Sequence, residues 1–207
     1  MSSQNLLYSL YFYKALGYKF IDKNQIYNPK IEKNGFLNLD ILNKDIKNCN
    51  LCELCKSRTH AVLGKGASNI MLVAKSPNSN SDKTGSAIDD ELFKVLEEVN
   101  IDKKAIYFTF LIKCKTSGPD KEIWYEQCKM YFEHELKLVR PKIIVTLGQE
   151  TFFYITKCIC AFESVRGGIF EFKDHFILPT YSHEWIKKNP SYMNDFKKDL
   201  EKLKGYE

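Results

Sequence analysis

The chain has 207 residues, which is enough for one domain with a full hydrophobic core and a terminal extension. Hydrophobic and charged contents of 44% and 28% are typical of a globular protein, and no apolar run is long enough to span a membrane. A formal net charge of +5 permits a polyanionic partner without requiring one. The first twenty residues lack a basic segment followed by a cleavage site, so we expect a cytoplasmic protein. We also expect it to be a monomer and to have no membrane partner.

The chain begins with a segment that differs from the rest. Apolar residues follow helical spacing through positions 3–20, and positions 21–40 contain Asn-Pro and Asn-Gly breaks. A short amphipathic segment, LDILNKDIKNC, then leads into a group of cysteines. We interpret residues 1–48 as a helical N-terminal extension and residues 49–207 as the main domain.

From about residue 60 onward, apolar runs alternate with amphipathic segments. The pattern predicts strands at 69–74, 105–112 and 142–148, with two short strands around a Lys-Asp turn within 168–180. It predicts helices at 89–100, 120–139 (with Asp120 as N-cap), 149–157 and 190–204. This alternation indicates an α/β fold with a mostly parallel sheet covered on both faces. Ligands of such folds bind beyond the carboxyl ends of the strands, so loops 74–88, 109–119 and 179–190 should gather there.

The seven cysteines favour metal binding or burial over a disulfide framework in a cytoplasmic protein. Cys49 and Cys52 form a CxxC pair, Cys114 follows a predicted strand, and Cys128 lies in the next predicted helix. Four thiolates suit either tetrahedral zinc or an iron–sulfur cluster, and the spacing does not choose between them. The alternative is that Cys114 and Cys128 are small core residues.

Several short motifs then occur in a fixed order: CNLCELCKSRTHAVLGKG, NIMLVA, DKTG, IYFTFLIKC, PKIIVTLG, VRGG and ILPTYSHEWIKKNP. Over about residues 47–205 this ordered set resembles the iron–sulfur uracil-DNA glycosylases, enzymes of base excision repair. The resemblance implies a three-layer α/β/α fold, a DNA partner (single- or double-stranded) and hydrolysis of an N-glycosidic bond. It also implies a [4Fe–4S] cluster on four cysteines, namely Cys49, Cys52, Cys114 and Cys128.

The register of these ligands comes from the resemblance. In the family, six positions separate the second cysteine from the arginine of Arg-Thr, and counting back from Arg58 gives Cys52. Cys55 is then a bystander, and its use in place of Cys52 stays an alternative. We interpret Cys158 and Cys160, which alternate in KCIC beside a helix end, as structural.

The chain departs from the family at the base pocket. The family's Gly-Glu-x-Pro-Gly loop is AKSPN here, with Lys75 in place of the acid and Pro77 retained. Ile88 replaces a phenylalanine that stacks on the base, and Phe110 replaces the asparagine that recognises uracil. Phe110 offers no hydrogen bond, so each polar group of uracil that it leaves unpaired costs about 1–3 kcal/mol.

The anion-stabilising position has changed as well. Ser182 stands where the family has histidine, and His183 follows one place later. We interpret His183 as a surface residue beside Glu184, and its service as a replacement catalyst is the alternative. Loss of one positioned donor lowers a rate by about 10²- to 10³-fold. Lys75 could form a Schiff base with an abasic sugar if its pKa were lowered, but a solvated loop lysine is the simpler interpretation.

The positions expected to contact the DNA backbone match the family pattern more closely than the base-pocket positions do. Arg166 matches the family's Val-Arg-Gly turn, and Lys187 and Lys188 precede an Asn-Pro helix start. Trp185 could wedge into DNA or stack on a base. The alternatives are a solvated turn for the two lysines and a core position for Trp185.

Three hypotheses follow. The first is a DNA-binding iron–sulfur protein of glycosylase ancestry whose uracil excision is weak, lost or redirected. The second is an active DNA glycosylase that removes uracil or another damaged base through a rearranged pocket. The third is a scaffold protein that does not bind DNA.

Overall fold

The computed structural model describes residues 36–66, 69–87, 89–119 and 121–207. The helix predicted at 3–20 and most of the irregular segment after it lie outside this part of the chain. Ile88 and Asp120 also lie outside it, so the stacking position and the predicted helix cap are not described.

The described residues form one six-stranded sheet, in the order β1-β3-β2-β4-β6-β5. Its strands are β1 Lys65–Gly66, β2 Ile70–Ala74, β3 Ile106–Phe110, β4 Ile143–Leu147, β5 Phe170–Phe172 and β6 His175–Thr180. The four central strands are parallel, and the two edge strands run antiparallel to their neighbours. Ile70 on β2 pairs with Ile106 on one side and Ile143 on the other. The predicted mostly parallel sheet is therefore confirmed.

In the described ranges, one helix precedes the first strand, and the others connect the strands or follow the last one. They are α1 Leu39–Lys47, α2 Ser79–Thr84, α3 Asp90–Glu98, α4 Glu122–Val139, α5 Gln149–Thr156, α6 Phe162–Val165, α7 His183–Lys188 and α8 Met193–Glu201. Four short 3₁₀ turns occur at Glu53–Lys56, Lys103–Ala105, Pro190–Tyr192 and Lys202–Gly205. The long helices match the predicted periodicity, with α4 beginning after Lys121. The short helices α2, α6 and α7 were not predicted, because one or two turns are too short for an amphipathic repeat.

Alternate residues of the strands face two separate cores. Ile70 and Leu72 of β2 pack on one face with helices α3, α7 and α8, whereas Met71 and Val73 pack on the other with α4 and α5. A sheet buried on both faces accounts for the nearly continuous apolar runs that its strands show in the sequence. The three-layer α/β/α fold is thus confirmed.

Helix α1 packs against helix α4 in a separate, smaller hydrophobic cluster. Its buried residues Leu42 and Ile46 pack with Tyr131 of α4, and the Tyr131 hydroxyl donates to Asp45 Oδ2 at 2.9 Å. Residues Phe36–Glu207 form one compact unit. The division into extension and domain at residue 48 stays a prediction. None of the helices in the described ranges is both long enough and apolar enough to cross a bilayer.

Candidate functional site

A cleft of about 800 Å³ opens at the carboxyl ends of the parallel strands. Residues from all three loops predicted to gather there line it, including Lys75, Pro77, Phe110, Ser182 and His183. The cleft thus brings together the described positions at which the sequence departs from the family pattern.

The loop after β2 is anchored on both sides of the cleft. Asn78 caps α2 by accepting the Ser81 backbone N–H at 2.9 Å, and its amide donates to Glu184 Oε1 at 3.2 Å. The hydroxyls of Ser76 and Thr116 lie 3.1 Å apart, which joins this loop to the one after β3. These contacts tether the loop at Ser76 and Asn78, on either side of Pro77 and directly after Lys75.

His183 is buried, with 5% of its surface exposed, and its Nδ1 lies 3.0 Å from Asp89 Oδ2. Our interpretation of His183 as a surface residue is therefore wrong. The cause is local, because Ser182 accepts the Trp185 N–H at 3.2 Å and so starts helix α7 at His183. His183 and Ile186, three residues apart, then share the buried face of α7, while Glu184 is exposed.

Asp89 holds the imidazole from the other side of the cleft. One carboxylate oxygen accepts the Leu92 N–H at 3.1 Å as the N-cap of α3, and the other faces His183. Burial alone would raise the pKa of Asp89, but the hydrogen bonds from His183 and Leu92 outweigh it and lower the pKa. An ionised Asp89 therefore orients the His183 ring.

The sequence did not identify Asp89 as a site residue. It begins a predicted helix and so was explained as a helix-start residue, without regard to the second oxygen of its carboxylate. Its partner is 94 positions away, and no local pattern connects the two.

An aromatic surface closes the end of the cleft near β3. Phe110 is 5% exposed, lines the cleft and meets Phe108 edge to face, with ring centroids 5.2 Å apart. A base edge that reached Phe110 would find no hydrogen-bonding group on that side chain.

The four positions predicted to contact DNA lie in different environments. The Arg166 guanidinium pairs with Asp199 Oδ2 at 2.6 Å and lies 4.7 Å from the Tyr181 ring centroid. Burial would lower the pKa of Arg166, but the bond with Asp199 raises it overall. Trp185 is 37% exposed and stacks on Tyr181 at 4.6 Å.

Lys187 and Lys188 end helix α7, and the 3₁₀ turn at Pro190–Tyr192 follows them. Lys187 pairs with Glu91 at 2.6 Å, whereas Lys188 lines the cleft and forms no ion pair with a residue in the described ranges. Contact of these four positions with DNA stays a prediction.

The cysteines predicted as ligands converge near the end of β3. Cys114 and Cys128 are buried, while Cys49 and Cys52 are half-buried. Burial, with smaller contributions from the nearby Cys114 and Cys52 thiols, raises the pKa of Cys128 to about 12. Burial also raises the pKa of Cys114, with smaller contributions from Cys52 and Cys49. Each of the four thiols therefore has others of the set as electrostatic neighbours.

Arg58 lies against this group. Its Nη1 donates to Cys114 Sγ at 3.3 Å, and its Nη2 donates to the Cys49 carbonyl at 2.7 Å. Cys55 lies close enough to raise the pKa of both Cys52 and Arg58. In the ranges that the structure describes, no three His, Cys, Asp or Glu side chains form a group that could hold a metal ion.

Cys158 and Cys160 differ from the other cysteines. Both are exposed, their sulfurs lie 3.0 Å apart, and Ile159 between them projects into solvent. The pair lies outside the core, because α5 ends at Thr156 and the chain leaves the core before Cys158. The interpretation of the pair as structural stays a prediction.

The chain is similar in sequence to a family of known proteins. Residues 61–204 match the family model described as the uracil DNA glycosylase superfamily. The chain is 26% identical to a type-4 uracil-DNA glycosylase of Sulfurisphaera tokodaii, over 80% of this chain and 83% of the relative. It is 28% identical to one of Saccharolobus solfataricus, over 81% and 85%, and 25% identical to one of Thermotoga maritima, over 81% and 94%.

Proposed function

The chain belongs to the uracil-DNA glycosylase superfamily, and we propose that it binds DNA and takes an extruded nucleotide into the cleft, with uracil excision weak or lost. The relatives named above are uracil-DNA glycosylases, and such enzymes must extrude a base to reach its glycosidic bond. A cleft of about 800 Å³ leaves room for a nucleotide.

Phe110 carries the proposal that uracil chemistry is reduced. It lines the cleft at the position where the resemblance implies a uracil-reading asparagine. Two carbonyls and an N–H of uracil would lose water there, and the phenyl ring could not replace those hydrogen bonds. An apolar wall instead favours a base through stacking and exclusion of water.

An excision panel tests this proposal. Oligonucleotides that carry uracil, hypoxanthine, xanthine or an abasic site are incubated with anaerobically purified protein, and base release and binding are measured. We expect salt-sensitive binding, with uracil release at least about 10²-fold slower than by a type-4 relative. Phe110→Asn should raise the rate of uracil release, whereas Phe110→Leu, which adds no amide, should not. Wild-type release of uracil at the relative's rate would overturn the proposal.

The His183–Asp89 pair favours a second candidate function, an active glycosylase for another damaged base. An imidazole at the cleft, oriented by a carboxylate, could stabilise a departing base anion or position the attacking water. If the panel reveals excision of any base, His183→Gln should reduce it by about 10²- to 10³-fold. His175→Gln is the matched control, because His175 bonds to the Pro141 carbonyl and is not a lining residue of the cleft. Absence of release from every substrate removes this candidate.

We further propose that Cys49, Cys52, Cys114 and Cys128 hold a [4Fe–4S] cluster. Their mutual proximity and the cationic Arg58 beside them support thiolate ligation. A four-iron cluster is wider than one ion, so its ligands need not stand close enough to hold a single metal. The bound cluster would join the segment before β1 to α4 and to the end of β3, a structural contribution. Zinc on the same thiolates is the alternative.

The scaffold hypothesis is separated from both candidates by DNA binding alone. Failure to bind any oligonucleotide at low ionic strength would favour a scaffold. Cytoplasmic location and a monomeric state stay predictions.

A further inference from the structure

A second cavity, of about 630 Å³, adjoins the cleft. It lies between helix α5, the segment around Cys158–Phe162 and the start of α7. Glu150, Ser182 and Trp185 line both cavities. A ligand in the second cavity would therefore be an immediate neighbour of a ligand in the cleft.

Aromatic side chains form much of its wall. They come from α5, α6, the end of β6 and α7, and are Phe152, Phe153, Tyr154, Phe162, Tyr181 and Trp185. Tyr181 and Trp185 are nearly parallel, with an angle of 18° between their rings. The Tyr181 hydroxyl donates to Glu163 Oε2 at 3.3 Å, and Arg166 packs at its ring. Trp185 and Arg166 thus cover the Tyr181 ring, and a ligand would stack on the other aromatic side chains of the wall, such as Phe153.

The polar groups of the cavity indicate what kind of ligand would suit it. Glu150 and Glu163 supply carboxylate oxygens, although Glu163 Oε2 also pairs with Arg166 Nε at 3.7 Å. Gln149 supplies an amide, and none of the described lining residues is lysine or arginine. Such a wall is rich in hydrogen-bond acceptors and has no cationic side chain of its own to pair with a phosphate. A flat, uncharged group with N–H donors on its edge matches both features.

We propose that this cavity is a second base-binding subsite, which takes the nucleobase adjacent to the extruded one. Adenine, cytosine and guanine carry exocyclic amines that the carboxylates can accept, whereas thymine does not, so the site should prefer an amino-bearing base. The inference rests on the proposed function, because the cleft must hold the neighbouring nucleotide. Stacking on aromatic side chains is a general means of binding unpaired bases.

A thermodynamic cycle tests the subsite. Single-stranded oligonucleotides carry a central 2′-deoxypseudouridine, whose C–C glycosidic bond cannot be hydrolysed. Two series of oligonucleotides are made, with cytosine, thymine or an abasic analogue on the 5′ side of this nucleotide in one and on its 3′ side in the other. Dissociation constants are measured by fluorescence anisotropy. In one of the two series, loss of the flanking base should weaken wild-type binding by about 5- to 150-fold.

The contribution of Phe153 distinguishes the subsite from general DNA binding. Phe153→Ala should bind the cytosine and abasic oligonucleotides with nearly equal affinity. Phe170→Ala is the matched control, because Phe170 is 41% exposed, similar to 39% for Phe153, and is not a lining residue of either cavity. It should behave like wild type. Glu150→Gln should remove the preference for cytosine over thymine.

The outcomes separate the two proposals. If the flanking base contributes equally in wild type and Phe153→Ala, or contributes nothing, the subsite is overturned. Binding that still depends on the central nucleotide would in that case leave the proposed function intact. If no oligonucleotide binds, the proposed function itself fails.

Discussion

At the residue scale, burial separates Cys114 and Cys128, which are buried, from Cys49, Cys52 and Cys55, which are all half-buried. Cys128 of α4 is buried in the core that α4 forms with the sheet, so an unligated thiol there would have almost no contact with solvent. Cys55 is half-buried in a 3₁₀ turn next to Cys52. Both lie near the same group of thiols, yet the proposed register makes only Cys128 a ligand.

We therefore expect Cys128→Ala to lose most of the bound iron, the brown colour and much of the stability, because cluster binding contributes to folding. Cys55→Ala, the matched control, should keep all three. Iron per protein, visible absorption and urea unfolding measure the outcome. Unchanged iron content in Cys128→Ala would contradict the ligand assignment, and loss of iron in Cys55→Ala would favour Cys55 as the ligand in place of Cys52.

At the element scale, a buried ion pair fastens α4 to the end of β3. Lys113 Nζ lies 2.5 Å from Glu135 Oε2 and donates to Thr109 Oγ1 at 2.7 Å. The Tyr107 hydroxyl donates to the other oxygen of Glu135 at 3.3 Å, and burial raises the pKa of Tyr107. Because each charge is almost fully buried, neither tolerates loss of the other.

Glu135→Leu should destabilise the protein by about 3–5 kcal/mol, because it leaves the Lys113 ammonium buried and unpaired. The double variant Lys113→Met/Glu135→Leu should recover most of that free energy. Glu97→Gln is the control, since its pair with Lys103 is exposed and contributes only about 0–1 kcal/mol. Urea unfolding measures all three. A double variant no more stable than Glu135→Leu would contradict the explanation.

At the scale of the whole molecule, the net charge of +5 is not concentrated in the cleft. Three lysines line it, Lys75, Lys115 and Lys188, but so do Asp89, Glu150 and Glu184. Attraction of the DNA backbone should therefore depend on a few positions rather than on a broad basic surface.

Salt dependence distinguishes Lys187 from Lys188. Lys188→Ala should reduce the slope of log K against log salt concentration by about one, and Lys187→Ala by less, because Lys187 already pairs with Glu91. Lys104→Ala is the control, because Lys104 lies just before β3, at the amino end of the strand and not at the carboxyl end where the cleft opens. It should leave the slope unchanged. Anisotropy titrations over a range of salt concentrations measure these slopes. Equal slopes in all four proteins would exclude the end of α7 from DNA contact.

The sequence by itself determined five of the six described strands (all but the two-residue β1), the long helices and the gathering of three loops at the carboxyl ends of the parallel strands. These follow from apolar periodicity, which is local, and from the rules that connect parallel strands. The resemblance also predicted Phe110 and Ser182 as altered pocket positions, and both line the cleft.

Only the tertiary structure decided which way the polar residues face. His183 turns inward because Ser182 caps α7 and because Asp89, 94 residues away, offers a carboxylate. Arg166 likewise pairs with Asp199, and Lys113 pairs with Glu135, in each case across different elements of the fold. A buried charge is stable only beside its partner, and that partner is set by the packing of distant elements, which no local pattern contains.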